Sequence, residues 1–220
     1  MVYILFVCLQ KQTNTTMKRK QFLLFAAFGL FAASCSTTDA ETGENNEEVA
    51  VIEYELDTEN SSLQWTGRHG DDSHIGTVSF SEGALSMKLD KLESGSFVVD
   101  MTSIIEPGGQ GLVEHLMGLD DNEYHKPEDF FHTTKFPTVE VSLGEYNDGT
   151  LSAELNILGQ TMPIDVEVDL KNEDSKASIS GSFTVNFEDL GIPGFQKDPE
   201  SGDGISPAVE FELDLALKAK

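Results

Sequence analysis

Cysteine is almost absent from this chain, since the two present, Cys8 and Cys35, both fall within its first 35 residues. The rest of the chain therefore cannot form a disulfide bond or a cysteine metal site, and its fold must be stabilised by its core alone. The five histidines show no HExxH or comparable spacing, which argues against a metal site. A G-x-S-x-G nucleophile motif is also missing. We therefore expect no catalytic residue, no metal and no cofactor, and predict that the protein is not an enzyme.

Basic residues are scarce as well. The chain has 14 Lys and Arg against 39 Asp and Glu, a net charge of −25. Four of the basic residues and none of the acidic ones precede Cys35, so the part that follows has ten basic residues against 39 acidic ones, a net charge of −29. Such a surface repels the phosphate backbone of nucleic acids, which argues against nucleic-acid binding.

The chain also lacks an apolar run long enough to span a membrane. Its apolar run at residues 22–33 is shorter than the roughly 20 residues that a spanning helix needs. The run follows a basic cluster at 18–20 and ends in small residues at 32–34, the layout of a secretory signal peptide. We predict a signal peptide over residues 1–35, with translation starting at Met17. The alternative is that residues 1–10 form an additional hydrophobic segment.

Cys35 directly follows the small residues that end this signal. The arrangement resembles the lipobox of bacterial lipoproteins, whose cysteine is acylated and becomes the new N-terminus, although Ala32 stands where that motif usually has Leu. The alternative is that Cys35 is an incidental residue of the signal peptide. We predict an exported lipoprotein, anchored to a membrane through Cys35, in the periplasm or at the outer membrane or cell surface.

The residues after Cys35 divide into two regions. Residues 36–50 are mostly polar and acidic and are predicted to form a flexible tether, because they cannot bury enough apolar surface to fold. Residues 51–220 are enough for one well-buried domain.

Alternating apolar and polar residues dominate this domain, which predicts strands with one buried and one wet face. The clearest cases are residues 151–157, 162–170, 179–187 and 209–215, and earlier strands are expected near 52–57, 62–69, 76–80, 85–89 and 97–104. Turn-forming Asn, Asp and Gly residues separate many of them, as in antiparallel hairpins. We predict an all-β fold, a closed antiparallel barrel of about eight main strands with one or two short helices near 112–117 and 127–131. A β-sandwich is the alternative architecture.

The predicted inner face is large and apolar. Such residues either fill a small barrel or line a ligand cavity in a wider one, and alternation alone leaves both readings open. Phe130 and Phe131, in the irregular stretch 106–135, could cover one end of the barrel. The inward-facing set is Trp65, Phe80, Phe97, Val99, Met101, Phe183, Val185 and Phe211.

Seven motifs in order resemble the YceI-like family of lipocalin-like barrels linked to polyisoprenoid binding. They are SLQWTG at 62–67, HIGTV at 74–78 with GAL at 83–85, FVVDMTSI at 97–104, HL at 115–116, DFF at 129–131 with KFPT at 135–138, LNILGQTMP at 155–163 and the segment 183–192. Two departures stand out, because Phe187 and Leu158 occupy positions where the family often has Arg. An anionic headgroup is therefore less well supported as part of the ligand.

The resemblance implies a barrel that holds an apolar chain, isoprenoid or fatty acyl, against the ten residues Trp65, Phe80, Phe97, Val99, Met101, Phe130, Phe131, Phe183, Val185 and Phe211. The alternative is a structural or interaction lipoprotein with a filled core and an acidic surface for a partner. The sequence leaves the oligomeric state open, a dimer included.

Overall fold

The computed structural model of the chain describes residues 49–120, 126–173, 175–195 and 204–220. The predicted signal peptide, Cys35 and the tether up to residue 48 lie outside these residues. Within the described part, no helix has both the length and the apolar character needed to cross a membrane.

Antiparallel strands make up most of the described chain, and they belong to a single sheet. Their bounds are β1 Val51–Leu56, β2 Ser62–His69, β3 Asp72–Lys88, β4 Lys91–Ile105, β5 Thr138–Asn147, β6 Thr150–Ile157, β7 Gln160–Glu173, β8 Lys176–Asn186 and β9 Ala208–Ala219. One α-helix, α1, spans Gln110–Leu116, and short 3-10 helices span Thr58–Asn60, Pro127–Asp129, Glu188–Leu190 and Pro193–Phe195.

The sheet closes on itself because β3 pairs with β4 as well as with β2. The first two strands occupy one position between β3 and β9: β1 pairs with the second half of β3, where Tyr54 lies opposite Leu85, and β2 pairs with the first half, where Trp65 lies opposite Gly76. The result is a closed barrel with eight strand positions, as predicted, and the alternative of a β-sandwich is wrong. Every strand therefore pairs with a neighbour on both sides over at least part of its length, so no whole strand forms a free edge.

The two ends of the barrel differ in their connections. The lower end carries the short turns β3–β4, β5–β6 and β7–β8 together with the first described residue, Val49, and the last, Lys220. At the β5–β6 turn, Asp148 and Gly149 both have positive φ, 50° and 88°, the geometry of a tight hairpin that suits Asp-Gly. The upper end carries the short turns β2–β3 and β6–β7 and the long connections β4–β5 and β8–β9.

Two details of the strand prediction are wrong. The segments 76–80 and 85–89 are not separate strands but parts of the single long β3. Register shifts against β4, one of them between Phe80 and Glu82, interrupt the alternation there and made one strand look like two. Strand β5 was not predicted. The short helix expected near 112–117 and the turn near 127–131 are both present.

Tightly packed side chains close the lower end. Leu85, Met87, Ile179, Leu215 and Leu217 are only 1–2% exposed. Tyr54, which is fully buried, donates its hydroxyl hydrogen to Oδ1 of Asn172, and Asn172 Nδ2 donates to the Leu89 carbonyl at 2.8 Å. These bonds join β1, β7 and the β3–β4 turn across the lower end, where Leu85, Met87 and Leu217 fill the interior.

Candidate ligand cavity

The middle of the barrel is packed less tightly than either end. Along β9, the inward-facing Val209 and Leu215 are buried, whereas Phe211 and Leu213 between them are only partly buried. Along β6, Leu155 is partly buried between Ala153 and Ile157, which are buried. These side chains point into the barrel, so they border space that the protein itself does not fill.

That space is a cavity of about 330 Å³. Its volume lies near the lower limit of the roughly 300–1,000 Å³ of ligand pockets. Every strand from β2 to β9 contributes to its wall, and the only charged or titratable residues of the described chain that line it are Arg68, His69 and His74. The lining is otherwise apolar, so the cavity suits a hydrocarbon chain better than a polar solute.

Nine of the ten side chains predicted to bind a ligand line this cavity. They are Trp65, Phe80, Phe97, Val99, Met101, Phe131, Phe183, Val185 and Phe211. Phe130 does not line it but packs against His115 and Phe195, with ring centroids 4.3 and 5.6 Å apart. Whether these side chains contact a ligand stays a prediction.

Two aromatic pairs form the wall at mid-height. Phe183 and Phe211 are directly opposite each other on β8 and β9, and their rings stack with centroids 5.5 Å apart. Phe80 and Phe97 meet edge to face at 6.0 Å. Such pairs present broad, rigid apolar surfaces that lose little conformational freedom when a ligand binds.

A cluster of aromatic rings covers the upper end of the cavity. Phe131, Phe187 and Phe195 lie with all three pairs of ring centroids 5.4–5.5 Å apart. Phe187 is one of the two positions where the related family often has Arg; here its side chain is 4% exposed and lines the cavity. Phe187 thus adds apolar surface to the cavity wall at a position where an arginine would have supplied a positive charge.

Backbone pairing in the barrel wall is incomplete between β7 and β8. The two strands pair from their turn up to Val168 opposite Gly181, whereas residues 160–167 of β7 pair only with β6. Ile164 and Phe183, which line the cavity on either side of this divergence, are only partly buried.

The upper end also holds the polar group of the cavity, which sequence reasoning missed. His74 Nδ1 lies 2.9 Å from Glu106 Oε1, and His74 lines the cavity. His69 and His74 flank the β2–β3 turn in the sequence, an arrangement that could place them face to face across the hairpin. The strand register contradicts this, because His69 lies opposite Asp72 and His74 opposite Gly67.

Trp65 lies beside this pair. A Cβ placed on Gly76 would lie 2.4 Å from the Trp65 ring and 2.0 Å from the Ile105 carbonyl oxygen, so only glycine leaves room for the indole there. The Trp65 ring therefore packs directly against the glycine of the HIGTV motif.

The described residues contain no group of three or more His, Cys, Asp or Glu side chains that could hold a metal ion. The clusters that do form are pairs, such as His74 with Glu106 and His115 with Asp120 at 3.3 Å.

A profile of the YceI-like domain matches residues 54–217, about three quarters of the chain and nearly all of the barrel. The chain belongs to the YceI-like family. The resemblance drawn from the seven motifs is thereby confirmed, although lipoprotein status is a separate matter. No curated protein sequence with significant similarity to this chain was found.

Solved structures of two other proteins share the fold. BcnA of Burkholderia cenocepacia is 14% identical, with a TM-score of 0.58, and the alignment covers 73% of this chain and 98% of BcnA. A polyisoprenoid-binding domain of Saccharophagus degradans, implicated in plant cell wall breakdown, is 15% identical, with a TM-score of 0.54. The alignment covers 76% of this chain and 98% of that domain. At these identities the likeness establishes the fold of this YceI-like chain.

Proposed function

We propose that this YceI-like protein is a non-enzymatic lipid-binding protein of the cell envelope that holds an apolar chain, isoprenoid or fatty acyl, inside its barrel. The observation that carries the proposal is the apolar cavity of about 330 Å³ bordered by half-buried, inward-facing side chains. The family and the similar fold of the polyisoprenoid-binding domain of Saccharophagus degradans support an isoprenoid as one ligand class.

Binding by such a cavity is driven by removing the chain from water. Each buried methylene contributes about 0.8 kcal/mol, so ten of them supply about 8 kcal/mol, enough for micromolar affinity before the cost of association. The alternative, a structural lipoprotein with a filled core, requires an interior without a cavity, and the half-buried middle of the barrel counts against it.

We expect the protein to carry lipid when it is purified from its native membrane fraction. Native mass spectrometry should show a mass excess over the polypeptide and its anchor, and solvent extraction should release a species with a long hydrocarbon chain. The delipidated protein should then bind a C15–C20 isoprenoid or a C16 fatty acid with micromolar or tighter affinity. A protein that carries no lipid and binds neither probe would refute the proposal.

Membrane attachment through Cys35 is a second part of the proposal, and it predicts that a Cys35→Ala variant moves from the membrane pellet to the soluble fraction. Cys8→Ala is the matched control, because Cys8 precedes the predicted start at Met17. This control variant should stay in the membrane fraction. Retention of Cys35→Ala in the pellet, or release of Cys8→Ala, would contradict lipidation at Cys35.

A further inference from the structure

The wall of the cavity is apolar except at its upper end, where His74 is the side chain best placed to meet the polar end of a ligand. Its side chain is 32% exposed, and it belongs to the cavity lining. Glu106 Oε1 lies 2.9 Å from Nδ1 of this ring. In the neutral imidazole this carboxylate holds the proton on Nδ1, so that Nε2 is a hydrogen-bond acceptor.

Trp65 supplies an unused donor on the same inner face of the barrel. It is 7% exposed, and its Nε1 is buried without a hydrogen-bond partner in the described part of the chain. An indole N–H can only donate, so only an acceptor brought close to the ring can satisfy it. A buried donor left unpaired is unusual in folded proteins and calls for a physical reason.

The strand register places the two residues that carry the acceptor and the donor close to each other. Trp65 lies opposite Gly76 and His74 opposite Gly67, so Trp65 and His74 are diagonal neighbours on the inner face of β2 and β3. Diagonal neighbours on one face of an antiparallel pair are within reach of each other when the side chains are long or aromatic. Gly67 and Gly76, the other two members of this square, have no side chains that could separate them.

We propose that Trp65, His74 and Glu106 form a headgroup subsite that selects an uncharged group able both to accept and to donate a hydrogen bond, such as a primary alcohol, over a phosphate. The hydroxyl group donates to His74 Nε2, and its oxygen accepts from Trp65 Nε1 once the ring edge turns toward it. Glu106 is a positioning residue that acts through His74. This inference rests on the proposed lipid-binding function.

The charges around the subsite disfavour a phosphate. Glu106 Oε2 is buried and has no hydrogen-bond partner among the described residues, so its negative charge is not neutralised there by a cation. If His74 is protonated, the pair carries no net charge and still offers no excess of positive charge. Arg68 is the one arginine or lysine among the described residues that line the cavity, and its guanidinium lies 3.2 Å from Glu210 on the outer surface.

The test compares two probes with the same chain, geranylgeraniol and geranylgeranyl monophosphate, bound by the purified full-length protein. Trp65 is the only tryptophan of the chain, so its fluorescence reports directly on the subsite during either titration. We expect the alcohol to bind at least about tenfold more tightly than the monophosphate. Equal affinity, or tighter binding of the monophosphate, would overturn the subsite while leaving lipid binding intact.

Two variants separate headgroup selection from binding of the chain. Glu106→Gln should reduce the ratio of the affinities for the alcohol and the monophosphate severalfold. The substitution removes the negative charge of the carboxylate, while the amide side chain keeps a similar shape. Trp65→Phe, measured by calorimetry, should weaken binding of the alcohol by about two- to tenfold, the effect of one net hydrogen bond, and should change much less the binding of a hydrocarbon of the same chain length that has no oxygen to accept from Nε1.

The outcomes distinguish the two proposals. If neither of these probes nor a C16 fatty acid binds the wild-type protein, the lipid-binding function itself fails, and the subsite fails with it. If both probes bind and Glu106→Gln leaves their affinity ratio unchanged, only the subsite is refuted. A general loss of stability would weaken the binding of both probes alike and leave the ratio of their affinities unchanged. A merely structural role of Glu106 would therefore not change this ratio.

Discussion

Replacing Ala153 with Phe is expected to weaken binding of a long apolar chain about a hundredfold while leaving the stability of the protein within about 1 kcal/mol of the wild type. Ala153 is buried on β6 and lines the cavity, so the new ring has unfilled space to enter. A ligand that is displaced by three or four methylenes loses about 2.4–3.2 kcal/mol, which corresponds to that change in affinity. Fluorescence titration of Trp65 measures the affinity, and urea denaturation measures the stability.

Ala177→Phe is the matched control for this substitution. Ala177 is also buried and inward-facing, but it lies in the filled lower end and does not line the cavity. Inserting a ring there should destabilise the protein by about 1–3 kcal/mol, because a packed core must deform to accept it. If Ala153→Phe destabilised the protein as much as Ala177→Phe and left binding unchanged, the interior would be uniformly filled and the structural alternative would be favoured.

The inner face of the barrel could be predicted from the sequence because it depends on a local rule. Successive strand residues point to opposite faces, so Phe183 and Val185, or Phe97 and Val99, have to share one face whatever the rest of the fold does. The same rule works for Phe211 on β9. The rule does not apply to Phe130 and Phe131, because these adjacent residues lie in a turn and not in a strand. Only Phe131 lines the cavity, and the alternation of a strand could not have predicted which of the two would.

The polar end of the cavity could not be predicted, because it depends on pairing between distant segments. His74 and Glu106 are 32 residues apart and meet because Thr77 lies opposite Ile105 across a pair of strands with several register shifts. An irregular register is not encoded by any pattern within one strand. The arrangement of β1 and β2, which share one strand position in the barrel, is equally non-local. It depends on the pairing of both strands with β3, so neither strand's own sequence predicts it.

The packing difference between the lower end and the middle of the barrel leads to the second large expected effect. Leu85→Ala should lower the free energy of unfolding by about 2–5 kcal/mol, because Leu85 is 1% exposed and its neighbours cannot collapse into the space left behind. For a domain of this size, that loss corresponds to a decrease in Tm of about 4–20 °C, measurable by calorimetry or circular dichroism.

Leu155→Ala is the comparison for Leu85→Ala, since the same methyl and methylene groups are deleted from an inward-facing side chain that already borders the cavity. Part of its surface faces unfilled space before the substitution, so the unfolding free energy should fall by only about 1 kcal/mol. A ligand at a hundred times its Kd should raise the unfolding free energy of the wild type and of Leu85→Ala alike by about 2.7 kcal/mol, because Leu85 does not line the cavity. Equal losses at the two leucines would mean that the middle of the barrel is as tightly packed as its lower end, and the structural basis for ligand binding would be lost.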